Sequence, residues 1–290
     1  MTKNILITGA NGQLGNEMRL ALNGDNRFIT FFTDVNELDI TNEVAINNFI
    51  KDSNIDIIIN CAAYTAVDKA EDDSELCSKL NINAVATLAK AATTHNAKLI
   101  HISTDYVYDG LNHRPYIETD TTNPQSIYGT TKLEGEMQLF KLAPNSIIIR
   151  TAWLYSPFGK NFVKTMINLG RTNRSLNVIC DQVGTPTCAT DLASAIMKII
   201  TADNWISGIF HFSNEGAISW YDFTKAIHRI AGIKTCTVNP VTSSEYKTKA
   251  ARPFYSVLNK AKIKNTYGFS IPYWEESLEK CIKIIENDNK

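Results

Sequence analysis

Short continuous apolar runs alternate, through the first half of the chain, with longer stretches in which apolar residues recur three and four positions apart. Asn4-Ile-Leu-Ile-Thr8, Phe28-Ile-Thr-Phe-Phe-Thr33, Asp56-Ile-Ile-Ile-Asn60, Lys98-Leu-Ile-His-Ile-Ser103 and Ile147-Ile-Ile-Arg150 read as buried strands, the last as the sixth of its sheet. Leu14, Met18, Leu20, Ala21 and Leu22 mark one helix, and Leu76, Leu80, Ala84, Leu88 and Ala92 another. A third is expected from about Ser126 to Phe140. Strands apolar on both faces, separated by amphipathic helices, predict an α/β fold: a doubly wound, Rossmann-like parallel sheet covered on both sides. After Arg150 the patterns shorten, with amphipathic helices expected over Asp191–Ile200 and Trp220–Ala231. The expected division is residues 1–150 for the sheet domain and 151–290 for a smaller C-terminal lobe, some of whose segments return to the first domain.

Composition narrows the class. With 290 residues the chain can bury a full core, and 44% hydrophobic with 20% charged residues is ordinary for a globular protein. A formal net charge of -1 gives no general attraction to nucleic acid or anionic membrane, so neither is expected as a partner. The six cysteines, Cys61, Cys77, Cys180, Cys188, Cys236 and Cys281, form no CxxC pair and read as buried thiols. The apolar run at Ile5–Ile7 is too short for a signal peptide, no stretch reaches transmembrane length, and a cytoplasmic location is expected.

Candidate chemistry gathers at the ends of the strands. The first empties into Gly9-Ala-Asn-Gly12-Gln-Leu-Gly15, a strand-to-helix turn where backbone N–H groups can meet a pyrophosphate. The second ends at Asp34, where a dinucleotide fold places an acid on the adenosine ribose; its charge would repel a 2′-phosphate and favours NADH. Asp39 is a weaker candidate for the same role or a helix cap. The third ends in Cys61-Ala-Ala-Tyr-Thr65 and the fourth in Ser103-Thr-Asp-Tyr-Val-Tyr108, where the Thr104 hydroxyl either polarises a substrate carbonyl or caps the strand. Tyr128 and Lys132 lie one helical turn apart on one face. An ammonium about 4 Å from the phenol, at an effective dielectric of about 20, is worth up to about 4 kcal/mol and would bring the tyrosine toward neutrality.

In this order, the glycine turn, the small-residue end of the third strand, Ser103-Thr-Asp-Tyr-Val107 and Tyr128-x-x-x-Lys132 resemble the extended short-chain dehydrogenase/reductase family of nucleotide-sugar enzymes. Arg150-Thr-Ala-Trp-Leu-Tyr155 and Asp181-Gln-Val-Gly-Thr-Pro-Thr187 carry the likeness over nearly the whole chain. The resemblance implies that Tyr128 donates a proton, that Lys132 lowers its pKa and binds the nicotinamide ribose, and that Thr104 stands where the family often has serine. It places Gly9, Asn11, Gly12, Gln13, Leu14 and Gly15 at the pyrophosphate and Asp34, Asp39 and Ile40 at the adenosine. Ala62, Ala63, Tyr64 and Thr65 would line the cofactor's far half. Thr104, Asp105, Tyr106, Tyr128 and Trp153 would face the sugar, and Arg252 a nucleotide diphosphate. Tyr155, Phe158, Asn161 and Phe162 lie near, Phe162 as core. The expected reaction is hydride transfer from NADPH or NADH to the C4 ketone of a dTDP-4-keto-6-deoxy-L-sugar, for cell-surface polysaccharide. Another nucleotide-sugar reductase or epimerase, or a non-catalytic nucleotide-binding subunit, are the alternatives. Some relatives are dimers associated with magnesium, so a homodimer is an expectation; no metal ligand is assigned, for want of an acidic cluster.

Overall fold

The computed structural model describes residues 2–288. Strands β1 (Lys3–Thr8), β2 (Phe28–Thr33), β3 (Ile57–Asn60), β4 (Lys98–Thr104) and β5 (Ile147–Thr151) join the strand Gly208–His211 in one parallel sheet. The order across it is Gly208–His211, β5, β4, β3, β1, β2. The strand read as the sixth is therefore the fifth in chain order, and Gly208–His211 supplies the missing edge. From β1 the chain steps outward to β2 and then returns to β3 on the other side. Such a reversal splays the connections apart and opens a crevice at the carboxyl ends of β1 and β3.

Alternation along the strands divides the core in two. Ile5, Ile7, Ile57, Ile59, Ile147 and Ile149 pack with helix α1 (Gln13–Leu22) and with the helix Ala189–Thr201. Leu6, Ile58, Leu99 and Ile148 face the other way, toward α2 (Glu43–Asp52) and the helices Ala84–Thr94 and Ile127–Leu142. At about 1.5–3 kcal/mol for each large aliphatic side chain removed from water, these two faces dominate the stability of the sheet.

Regular structure breaks at two places that bear on the cleft. The stretch read as one helix from Leu76 is broken into Ser74–Ser78 and Ala84–Thr94 by a π-helical turn, Lys79–Asn83. The Asn81 carbonyl from that turn lies where a Cβ on Gly135 would be 2.1 Å away, so only glycine lets the Ile127–Leu142 helix lie this close. That helix begins with the Ser126 hydroxyl accepting from the Gly129 N–H at 3.1 Å.

A separate apolar cluster beyond the sheet joins Tyr155, from the short strand Leu154–Tyr155, to Val163, Ile167, Phe223, Ile227, Leu278 and Ile282, from the helices Phe162–Thr172, Trp220–Ile230 and Trp274–Asp288. All six cysteines are free; Cys77, Cys188 and Cys281 are buried, but Cys61, Cys180 and Cys236 are partly exposed, so burial holds for only half of them. No helix among the described residues is long and apolar enough to cross a membrane.

Candidate active site

A cleft of about 880 Å³ runs along the carboxyl edge of the sheet, from the turn after β1 to the N-terminal half of the Ile127–Leu142 helix. At one end lies the glycine turn. Gly9 has a φ of +63°, and a Cβ there would meet Ala62 at 2.7 Å. On Gly15 it would meet Ala10 and the Gly9 carbonyl at 2.5 Å, so the turn requires glycine at both positions. Gly12, the residue before α1, brings no capping side chain. The first N–H groups of that helix therefore face the cleft without a protein cap.

Asp34 stands at the end of β2, lines the cleft, and accepts a hydrogen bond from the Asn11 N–H at 3.0 Å. Asp39 and Ile40 line the same end, and the Asp39 carboxylate accepts from the N–H and hydroxyl of Thr41 at 2.9 and 2.8 Å, which holds it below the usual range. Ala62, Ala63 and Thr65 line the middle. Asn11 and Tyr64 do not line the cleft, contrary to the sequence-based assignment. Asn81 pairs with both backbone groups of Tyr64, accepting from its N–H at 2.9 Å and donating to its carbonyl at 3.2 Å, and Tyr64 packs against the cluster of Ala70, Cys77 and Tyr128.

The other end holds the reactive groups. Tyr128, Lys132, Thr104, Asp105 and Tyr106 all line it. The expected depression of the Tyr128 phenol is not set up here. Burial pushes it up, a hydrogen bond with the Thr104 hydroxyl works against this, and the negative charge of Asp105 adds to the rise. The Lys132 nitrogen instead donates to the Ile102 carbonyl at 2.7 Å and lies 3.2 Å from His101 Nε2. Burial lowers Lys132 to about 8, opposed by Glu136 and Cys77. Thr104 caps the end of β4, its oxygen accepting from the Tyr106 N–H at 3.2 Å, while its hydroxyl donates to Asp105 at 2.9 Å. Burial pushes Asp105 up to about 6 against hydrogen bonds from Ser256 and Thr104.

Over this end lies Trp153, held at a φ of +47° that a bulky residue rarely adopts. Its ring stacks on Trp220 at 3.5 Å, and the side chain fits because Gly184 beneath it has no Cβ, which would be 2.7 Å from the indole. Arg252 is no solvated surface group: it donates to Asp68 at 2.7 Å and to the Tyr106 hydroxyl at 3.1 Å, and lines the cleft. Tyr155 and Phe162 belong to the second apolar cluster rather than to the cleft.

Some lining residues escape assignment from sequence, Gly159 and Lys160 among them. Gly159, Lys160 and Asn161 fold over the glycine turn, tied down by Asn161 donating to the Gln13 side chain at 2.9 Å. They bring a cation to an end of the cleft where the glycine loop has none. From sequence, Asn161 reads only as a nearby amide. Behind Lys132 stands His101, fully buried in the middle of β4, which reads as one more interior position of an apolar run.

Comparison with known proteins places this geometry. Residues 2–287 match the family model described as the RmlD substrate binding domain. A dTDP-4-dehydrorhamnose reductase of Aggregatibacter actinomycetemcomitans is 40% identical over 284 residues, 95% of this chain and 97% of that protein. A crystal structure of a dTDP-4-dehydrorhamnose reductase from Clostridium acetobutylicum superposes with a TM-score of 0.94 at 48% identity, covering 98% of this chain and 99% of that one. The Bacillus anthracis dTDP-4-dehydrorhamnose reductase in complex with NADP gives a TM-score of 0.94 at 38% identity, covering 98% of this chain and all of that one. Matching the family model over residues 2–287 and these relatives over nearly its whole length, the chain belongs to the RmlD substrate-binding family.

Proposed function

We propose that the cleft takes NADPH or NADH along the Gly9–Gly15 turn and reduces the C4 ketone of dTDP-4-dehydro-L-rhamnose to dTDP-L-rhamnose. The observation that carries this is the opening of Tyr128, Lys132 and Thr104 into the same cleft as an uncapped helix N-terminus and its glycine turn. The residues present fit a dinucleotide. The turn is too tight for a Cβ at Gly9 or Gly15, the N-terminus of α1 suits a pyrophosphate, and Asp34 and Asp39 line the same end of the cleft. When bound, the cofactor supplies a hydride to the ketone carbon. Tyr128 gives its proton to the oxygen on which charge develops, and the Thr104 hydroxyl bonds that same oxygen. Lys132, once it takes a proton, stabilises the phenolate left behind. Trp153 provides a flat apolar face for the sugar, and Arg252 with Lys160 the cations for diphosphate groups.

The test is absorbance at 340 nm with NADH or NADPH and a dTDP-4-keto-6-deoxy sugar made in place, with and without a 3,5-epimerase. Oxidation that depends on the epimerase supports reduction of the L-configured ketone. Cofactor binding with no oxidation on either ketone would overturn the reading.

Two variants probe the two ends of the cleft. Asp34→Ser keeps an acceptor for the Asn11 N–H but removes the charge facing a 2′-phosphate. The ratio of kcat/KM for NADPH to that for NADH is expected to rise about tenfold, equivalent to about 1.4 kcal/mol. Gly184→Ala drives a methyl group into the Trp153 indole and the Ser256 hydroxyl, at 2.7 and 2.8 Å. It is expected to lower kcat/KM for the sugar nucleotide about tenfold or more through displacement of Trp153, with cofactor affinity unchanged in a fluorescence titration.

A further inference from the structure

Four buried polar groups form a line behind the cleft, each from a different element. The Thr8 hydroxyl on β1 donates to Asn60 Oδ1 on β3 at 2.7 Å, and the N–H of Ala62 donates to the same oxygen at 3.2 Å. Asn60 Nδ2 lies 2.9 Å from His101 Nδ1 on β4, and His101 Nε2 lies 3.2 Å from the Lys132 nitrogen. None of Thr8, Asn60, His101 or Lys132 is more than 1% exposed.

The orientation of the chain of bonds follows from its one unambiguous donor. A backbone N–H can only donate, so the Asn60 atom facing Ala62 is the oxygen and the atom facing His101 is the NH2 group. His101 Nδ1 must then offer its lone pair. A neutral imidazole with Nδ1 unprotonated carries its proton on Nε2, directed at Lys132. An N–H aimed at an ammonium is repelled, whereas aimed at an amine it makes a hydrogen bond. The amine still donates to the Ile102 carbonyl.

We propose that Asn60 fixes His101 in its Nε2–H tautomer, and that this imidazole is a positioning residue for Lys132, holding it on the Ile102 carbonyl and favouring loss of its proton to give the amine in the free protein. The proposal rests on the reading of Lys132 given under Proposed function. Burial acts in the same direction on Lys132, and it lowers His101 as well, with the lysine charge adding to that fall. The other ionisable groups around Lys132 are Glu136 one turn along its own helix, which pairs with Arg150, and Cys77 from Ser74–Ser78. Tyr128 and Asp105 lie toward the cleft. Glu136 and Cys77 favour the ammonium and burial opposes them; an Nε2–H on His101, 3.2 Å from the lysine nitrogen, would act with burial.

The consequence is an alkaline limb. If only the ammonium assists Tyr128, kcat/KM, which reports groups of the free enzyme, falls as pH rises through the lysine value of about 8. The substitution N60D reverses the line without changing its shape. The new carboxylate still accepts from Thr8 and Ala62, but it also accepts from His101 Nδ1–H, which frees Nε2 to accept from the ammonium. The limb is expected to move up by about one pH unit or more.

The experiment has two parts. Two-dimensional 15N NMR of the histidines in the wild-type chain is expected to give His101 the shifts of an Nε2–H tautomer at neutral pH, and in N60D those of Nδ1–H. The pH profile of kcat/KM for both proteins then reads the lysine. A wild-type Nδ1–H or imidazolium signal, or an unmoved limb in folded N60D, would overturn the proposal. The nitrogen shifts need no substrate, so they decide the His101 tautomer separately from whether the chain reduces this ketone.

Discussion

Tyr128→Phe is expected to lower kcat by about 10²–10⁴-fold, the range for loss of a positioned proton donor, while the dissociation constants for NADPH and NADH stay within about threefold. The reason is local. Phenylalanine retains the ring, whose edge packs on Tyr106 with centroids 5.5 Å apart, and removes only the hydroxyl. Thr104 keeps its hydrogen bond to Asp105 at 2.9 Å, so its hydroxyl is not orphaned by the change. Stopped-flow turnover and cofactor fluorescence titration check the two halves separately, and a kcat within tenfold of the wild type would remove Tyr128 from the chemistry. Because burial holds the phenol up in the free protein, its proton stays in place across the neutral range and is available to a developing alkoxide. In the proposed mechanism the ammonium of Lys132 stabilises the phenolate, and Lys132 in turn lies 3.2 Å from His101 Nε2.

The parts of this site that were legible in the sequence are those written by a repeating physical demand. Ile5–Ile7, Ile57–Ile59 and Ile147–Ile149 are buried on both faces, so their strands are runs that cannot be missed. Gly9 and Gly15 are required by contacts under 3 Å, and Tyr128 and Lys132 by the helical repeat. Elements set by single contacts were not visible. Gly208–His211 is a four-residue edge strand without a long apolar run, and it joins the sheet only because β5 presents a free edge. The π-helical turn exists where Asn81 turns aside to clip Tyr64, an event that no periodicity records. Asn11 was expected at the pyrophosphate, yet it is its backbone N–H that matters, on Asp34. His101 has the alternation of an interior strand position, and only the arrival of Asn60 and Lys132 from other elements makes it polar machinery.

Arg150→Met is expected to cost about 3–5 kcal/mol of folding stability, the largest loss of any single substitution considered, because it strands a buried charge. Arg150 on β5 and Glu136 on the Ile127–Leu142 helix meet at 2.6 Å with both side chains only 3% exposed. The pair is also framed: Ser103 donates to Glu136 at 2.5 Å, and Arg150 donates to the Tyr108 hydroxyl at 2.7 Å, which lies 2.9 Å from His211 Nε2. One carboxylate thus docks the helix carrying Tyr128 and Lys132 onto β4 and β5. With methionine in place of the guanidinium, Glu136 keeps only the serine, and a lone carboxylate away from water is far more costly than the pair was favourable. Urea unfolding of R150M should show the loss as a lowered midpoint, and a loss below about 1 kcal/mol would mean that the pair does not anchor the helix. The double variant R150M/E136L separates charge from packing. If the penalty is the stranded carboxylate, removing it should restore most of the stability, because an apolar pair of similar volume can replace a buried ion pair at little cost. If instead the guanidinium is needed for Tyr108 and the edge strand, the double variant will remain as weak as R150M.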